Sequence, residues 1–210
     1  MAHLPKLTSG DGFLRSRIRC PELLRLHRSE SPEHFVQFYQ DDSFLIDNVS
    51  YLAAKALETD QSSVLVATGS HLTAIERRLS AFGLKLDGLR ETGRYMRFDA
   101  ADALSRIMSG NQVDADKFFS VIGGAIRAAT ETGANGFAFA FGEMVALLCA
   151  DGNPHEAIAL ERLWNALANR YRFSLCCAYP LSSLETHPDM SVVMQICAEH
   201  ALTIPAESPL

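Results

Sequence analysis

The sequence predicts a three-layer α/β domain: a mostly parallel sheet of five or more strands, with helices on both faces. Three observations carry this. Short apolar runs rich in aromatic and β-branched residues recur along the chain, and each is followed by a segment whose apolar residues keep a 3.6-residue period. The most apolar run, at 136–141, has no charge at all, as a strand covered on both faces requires. Turn-forming residues separate the segments. Strands alternating with helices mean βαβ units, and right-handed crossovers put helices on both sides of the sheet.

The elements follow in order. His34-Phe35-Val36-Gln37-Phe38-Tyr39 reads as the first strand, and Gln40-Asp41-Asp42-Ser43 starts a helix to about residue 58, with Asp42 or Asp41 as N-cap. Thr59-Asp60-Gln61 is a turn, 63–68 the second strand, and Gly69-Ser70-His71 leads into a helix through Phe82, stopped by Gly83. The third strand is 94–99, followed by a helix near 101–108, the turn Ser109-Gly110-Asn111, and a longer helix over 115–132. The fourth strand, 136–141, precedes a short helix at 143–150 and the strong turn Asp151-Gly152-Asn153-Pro154. A helix over 155–170, a fifth strand over 173–179 ended by Pro180, and a last helix over 188–199 complete the series.

Composition bounds the function. The 210 residues are 48% hydrophobic and 21% charged, enough for a large core in one or two domains and too apolar for wholesale disorder. A net charge of −6 argues against a general nucleic-acid or anionic-membrane binder. Residues 1–32 hold six Lys/Arg and three Asp/Glu, a charge of +3, which leaves −9 on residues 33–210. That basic stretch, with Leu23, Leu24 and Leu26, reads as an N-terminal extension, either a docking arm or a mobile terminus. The remainder, 33–208, is the domain.

Five cysteines without CxxC spacing suggest a reducing, cytoplasmic setting and argue against a disulfide framework or a zinc site. No run is long enough for a membrane span, and no secretory segment opens the chain. The sequence thus predicts no metal and no cofactor.

Ligands of open α/β sheets collect at the carboxyl ends of the strands. Laid out in this way, one edge gathers Tyr39-Gln40-Asp41-Asp42, Thr68-Gly69-Ser70-His71, Asp99, Gly142-Glu143 and Tyr179-Pro180. Asp42, Ser70 and Asp99 serve there either as helix caps or as pocket groups. Glu143, beside a buried strand, either faces the crevice or is paired in the core, since a buried carboxylate needs a partner or water. His34 and His71 suit acid–base or ligand-binding roles as well as structural hydrogen bonds. Trp164, the single tryptophan, lies beside Glu161 and Asn165, which share a helix face; it is either a core residue or a wall of the site. The expected ligand-binding set is His34, Tyr39, Asp42, Thr68, His71, Glu143, Trp164 and Tyr179. The motifs GxxxxGK[ST], GxGxxG, GxSxG and HExxH are absent, so no enzyme class is indicated.

Several phrases, in order, resemble the MEDS domain (methanogen/methylotroph, DcmR sensory domain). They are the strand 34–39 with Asp42, Val64-Leu65-Val66-Ala67-Thr68 with His71, Phe141-Gly142-Glu143-Met144-Val145, Asp151-Gly152-Asn153, Leu160-Glu161-Arg162-Leu163-Trp164-Asn165, Ser174-Leu175-Cys176-Cys177-Ala178-Tyr179-Pro180, and the tail from His200 to Ser208. The resemblance covers about residues 33–208. It implies a sensory module related in fold to the RecA/KaiC ATPases, found alone or joined to histidine kinases and transcription regulators, with small hydrocarbon derivatives proposed as ligands. On a RecA-like sheet the fourth strand lies beside the first, which would bring Glu143 near Tyr39 and Asp42. The phosphate loop of such ATPases would fall at Gln40-Asp41-Asp42-Ser43. That connection has no glycine and no lysine but two carboxylates, so tight ATP binding is not expected.

The expected function is therefore a non-catalytic sensor that binds a small, largely apolar ligand and signals through a partner protein or a second copy, with no kinase or helix-turn-helix segment of its own. Two other readings remain open: a pure interaction or dimerisation module on a degenerate ATPase fold, and an enzyme with Glu143 as general base assisted by His71 or Tyr39.

Overall fold

The computed structural model of the chain describes residues 32–185 and 190–207. The predicted extension, up to residue 31, lies outside the described residues. The elements run β1 (His34–Tyr39), α1 (Asp42–Glu58), β2 (Ser62–Ala67), α2 (Gly69–Ala81), α3 (Leu86–Glu91), β3 (Tyr95–Asp99), α4 (Ala100–Ile107), β4 (Met108–Ser109), β5 (Gln112–Val113) and α5 (Ala115–Thr132). They continue with β6 (Phe137–Gly142), α6 (Met144–Ala150), α7 (Pro154–Ala168), β7 (Arg172–Pro180), α8 (Leu181–Glu185), α9 (Met190–Ala198) and β8 (Leu202–Ile204).

Six strands form one all-parallel sheet in the order β3-β2-β6-β7-β1-β8. The predicted α/β class and helix positions hold, and α5 matches its predicted span residue for residue. Five features differ. The short helix α3, the two-residue strands β4 and β5 of an antiparallel hairpin, and the edge strand β8 were not expected from pattern. The expected last helix is α9, and α8 is a further short helix before it. The expected adjacency of the first and fourth principal strands is wrong: β7 sits between β1 and β6, paired in parallel to both.

Each strand splits its side chains between two cores, because successive side chains point to opposite faces. Phe35, Tyr39, Leu65, Phe139, Phe141 and Cys176 face a core covered by α1 and α2. Val36, Phe38, Val64, Ala138, Ala140, Leu175, Cys177 and Tyr179 face the other, covered by α4, α5, α6 and α7. On β6 the second face is alanine, and α5 packs against it. At Gly133, after α5, an added Cβ would lie 2.4 Å from the Phe137 carbonyl oxygen and 3.0 Å from the Ser62 nitrogen, so only glycine lets the turn pass so close to β2.

This topology contains its own crevices. The chain moves from β1 to β3 with helices on one face, then returns through β6, β7 and β8 with helices on the other. Neighbouring strands whose following helices leave to opposite faces part their loops at the carboxyl ends, and ligands bind at such switch points. The pairs β2/β6 and β7/β1 are both of this kind.

Candidate functional site

The β2/β6 switch point is built from the two residues that follow the strands. Thr68 is the N-cap of α2, and its backbone N–H donates to Glu143 Oε2 at 2.7 Å. Glu143 follows β6; its own N–H donates to the Val66 carbonyl at 2.9 Å, which anchors the turn to β2. The Glu143 side chain is 2% exposed. Its Oε1 accepts a very short hydrogen bond from His71 Nδ1 in the first turn of α2. On the far side of the ring, His71 Nε2 lies 3.4 Å from Asp42 Oδ2, and Asp42 is 67% exposed. Asp42 is free for this contact because Asp41, not Asp42, caps α1 through the Ser43 N–H. Asp99 is a cap, accepting from the N–H groups of Ala101 and Asp102. Tyr39, the last residue of β1, meets the His71 ring edge-on at 6.5 Å.

Together these groups form a chain from water to the core: Asp42, His71, Glu143. The hydrogen bond to Glu143 raises His71 to about 8 against a smaller opposing effect of burial, so the ring is an imidazolium at neutral pH. One cation between two carboxylates leaves the site net negative. Burial first, then the charges of Glu143 and Asp42, push the Tyr39 phenol well above its ordinary range. Of the expected set, Tyr39, Asp42, Thr68, His71 and Glu143 therefore converge, and Glu143 is buried and paired.

The other three expected residues lie elsewhere. Trp164 is buried on α7, edge-on to Phe118 at 5.2 Å. Tyr179 belongs to the α7 face, where its hydroxyl donates to Glu161 Oε1 at 2.7 Å. His34 starts β1 at the amino end of the sheet, and its Nε2 lies 3.3 Å from Glu161 Oε2. These groups belong to a second centre, made by Glu161, His34, Cys177, His200 and Asn165. Cys177 Sγ donates to Glu161 Oε2 at 3.1 Å, and His200 Nε2 lies 3.5 Å from Glu161 Oε1 without making a hydrogen bond. Burial alone would raise the Glu161 carboxyl, but the facing His200 and His34 hold it well below the carboxylate range. The visible sequence signal was Glu161 itself: a carboxylate on the apolar side of α7, one turn from Asn165.

A third contact bears on nucleotide binding. The backbone N–H groups of Gln40 and Asp41, at the position expected for a phosphate loop, both donate to the Glu207 carboxylate, at 3.1 Å and 2.5 Å. Glu207 follows β8, which pairs with β1.

The family profile of MEDS, the MEthanogen/methylotroph, DcmR Sensory domain, matches residues 33–200. The chain belongs to the MEDS family. No curated protein matches it. The match spans both centres, since His34 and His200 stand at its two ends. MEDS is a sensory type of domain, which gives this chain a sensory or regulatory role. No helix among the described residues is long and apolar enough to cross a membrane.

Proposed function

We propose that this MEDS chain is a non-catalytic sensor whose ligand is a small, largely apolar molecule, such as a hydrocarbon derivative bearing one hydrogen-bond donor. It binds in the crevice between the carboxyl ends of β2 and β6. The observation that carries the reading is the Asp42–His71–Glu143 chain at a topological switch point. Its net negative charge favours a donor or a cationic group on the ligand, and Tyr39 supplies an aromatic wall. The non-catalytic part is supported by Glu143 itself. Both of its oxygens already accept hydrogen bonds, one from an imidazolium, which leaves it a poor general base.

A ligand can signal only through unequal affinity for two conformations. The loops after β1, β2 and β6 carry the site and lead directly into α1, α2 and α6, so a shift of His71 or Asp42 is passed to surface helices. Output goes to a partner kinase or transcription regulator, or to a second copy of the chain. The free thiols of Cys176, Cys177 and Cys197 support a reducing, cytoplasmic location.

Native mass spectrometry of the purified protein tests for a retained small molecule. A thermal-shift panel of short alcohols, amines and halogenated alkanes then tests the class, since a ligand at a hundredfold excess over its Kd stabilises by about 2.7 kcal/mol. The expected result is stabilisation that Glu143→Gln removes. A panel without effect, or stabilisation equal in the variant, overturns the reading; turnover of a stabilising compound would favour the general-base alternative.

A further inference from the structure

We propose that His34, Glu161, Cys177 and His200 form a binding site for one divalent transition-metal ion of the zinc class. The site is separate from the proposed ligand crevice and does not depend on it. The four side chains come from β1, α7, β7 and the segment before β8, and one donor atom of each lies within 4.8 Å of all the others. Three edges of this figure are 3.3 Å from His34 Nε2 to Glu161 Oε2, 3.5 Å from His34 Nε2 to Cys177 Sγ and 3.1 Å from Cys177 Sγ to Glu161 Oε2, while His200 Nε2 stands 3.5 Å from the other carboxylate oxygen, Glu161 Oε1. A tetrahedral ion with ligands at about 2.0–2.3 Å sets its ligand atoms roughly 3.3–3.8 Å apart. The three short edges lie close to this range, and the widest separation, up to 4.8 Å, closes by about 1 Å when the ion binds.

The tautomers fit as well as the distances. Asn165 Nδ2 donates to the Glu199 carbonyl at 2.9 Å, which fixes the amide with Oδ1 as an acceptor. Oδ1 stands 2.7 Å from His34 Nδ1, so that nitrogen carries the proton. His200 Nδ1 stands 2.6 Å from the Ile196 carbonyl, which can only accept, so it too carries a proton. In the neutral rings both lone pairs then sit on Nε2, and both face the thiol and the carboxylate. Metal-ligating histidines are held in this way, by an acceptor on the second nitrogen. Tyr179 similarly holds Glu161 through Oε1 and leaves Oε2 toward His34 and Cys177.

A purely hydrogen-bonded centre explains less. His200 Nε2 is fully buried and meets Glu161 Oε1 at 3.5 Å without a well-formed hydrogen bond, a weak arrangement for a buried nitrogen. An ion would give it a directed bond. Two imidazoles, a thiolate and a carboxylate select zinc-like ions over magnesium or calcium, which prefer oxygen shells. The Cys177 proton, now directed at Glu161, and any proton on the two histidine Nε2 atoms leave to solvent as the thiolate and the neutral imidazoles take the metal, and the two anionic ligands then balance the ion's charge. A cavity of about 30 Å3, lined by Pro32, His34, Trp164 and Phe173 among others, lies alongside His34.

The test is titration of the chelator-stripped full chain with Zn2+, and with Co2+ as a spectroscopic probe. The expected result is one ion per chain, with intense tetrahedral Co2+ bands and a thiolate-to-cobalt charge-transfer band. Cys177→Ser should remove the charge-transfer band. Asn165→Ala, which touches no metal but frees the His34 ring, should weaken binding about 10–100-fold while circular dichroism remains unchanged. No stoichiometric binding, a six-coordinate Co2+ spectrum in the unmodified chain, or a charge-transfer band that survives Cys177→Ser would each overturn the proposal.

Discussion

Two buried glutamates face histidines in this molecule, and their surroundings differ. Glu143 has one imidazole and one backbone N–H, and its imidazole passes the charge on to Asp42 at the surface. Glu161 has two imidazoles, a thiol and a phenol around it and is itself 0% exposed. The first centre sits at the ends of strands, at the place proposed above for ligand binding. The second joins two strands, a helix and the approach to a third strand. The same pair of residue types thus makes a responsive edge in one place and a fastening in the other; the number of chain segments that converge decides which.

The largest expected effect is at the fastening. Glu161→Leu removes the acceptor shared by Tyr179 and Cys177 and the charge facing His34 and His200. Breaking a buried charged network from one side costs about 3–5 kcal/mol, a large share of a domain's stability. Urea denaturation should show the loss as a lower midpoint. A cost below about 1 kcal/mol would mean that the centre does not hold the segments together.

Glu143→Gln should cost less, roughly 1.5–3 kcal/mol, because the amide oxygen still accepts from Thr68 N–H while the charge facing His71 is lost. The chain should remain folded and lose its response to ligand. Equal losses at the two glutamates would break the contrast. A Glu143→Gln chain that unfolds would make that residue a structural pair member first.

The elements of the fold were readable in the sequence to different degrees. β1, α1 and α5 were legible because aromatic alternation and long 3.6-residue periods leave few alternatives. β8 was not, since Leu202-Thr203-Ile204 is three residues long and becomes a strand only because β1 offers an unpaired edge. The Asp42–His71–Glu143 edge was legible because carboxyl ends of parallel strands lie together in any order. The Glu161 centre was not. Cys177 is 16 residues from Glu161 and 143 from His34, no ligand spacing resembles a known motif, and the convergence depends on β7 lying between β6 and β1. That strand order contradicted the expected one.

A smaller effect is the pH dependence at the responsive edge. His71 is raised from its ordinary 6.5 to about 8, so the fold favours its protonated form. Its stabilisation is complete below about pH 6.5 and is lost as the pH rises through about 8. The groups facing the ring are Glu143, Asp42 and Tyr39; the Tyr39 phenol is pushed up and does not titrate in this window. After solvent screening the contribution is roughly 1 kcal/mol. Melting temperature should fall between pH 6.5 and 8 in the unmodified chain and fall less in His71→Gln. The same slope in both would place the titration elsewhere.

The smallest effect concerns the tail. Glu207 accepts from the N–H groups of Gln40 and Asp41, which makes its carboxylate a built-in anion at the place where related folds would hold a phosphate. The contact is exposed, so Glu207→Ala should cost no more than about 0.5–1.5 kcal/mol. Hydrogen exchange at these two amides should speed up, while that of the β1 interior should not change. Removing the carboxylate does not create a nucleotide site: Asp41 and Asp42 still repel phosphate, and no lysine stands in the loop. Calorimetry of Glu207→Ala with ATP and magnesium should therefore show no binding in the micromolar range. Tight binding in the variant alone would mean that the tail, rather than the chemistry of the loop, keeps nucleotides out. The responsive edge would then include the β7/β1 switch point as well as β2/β6.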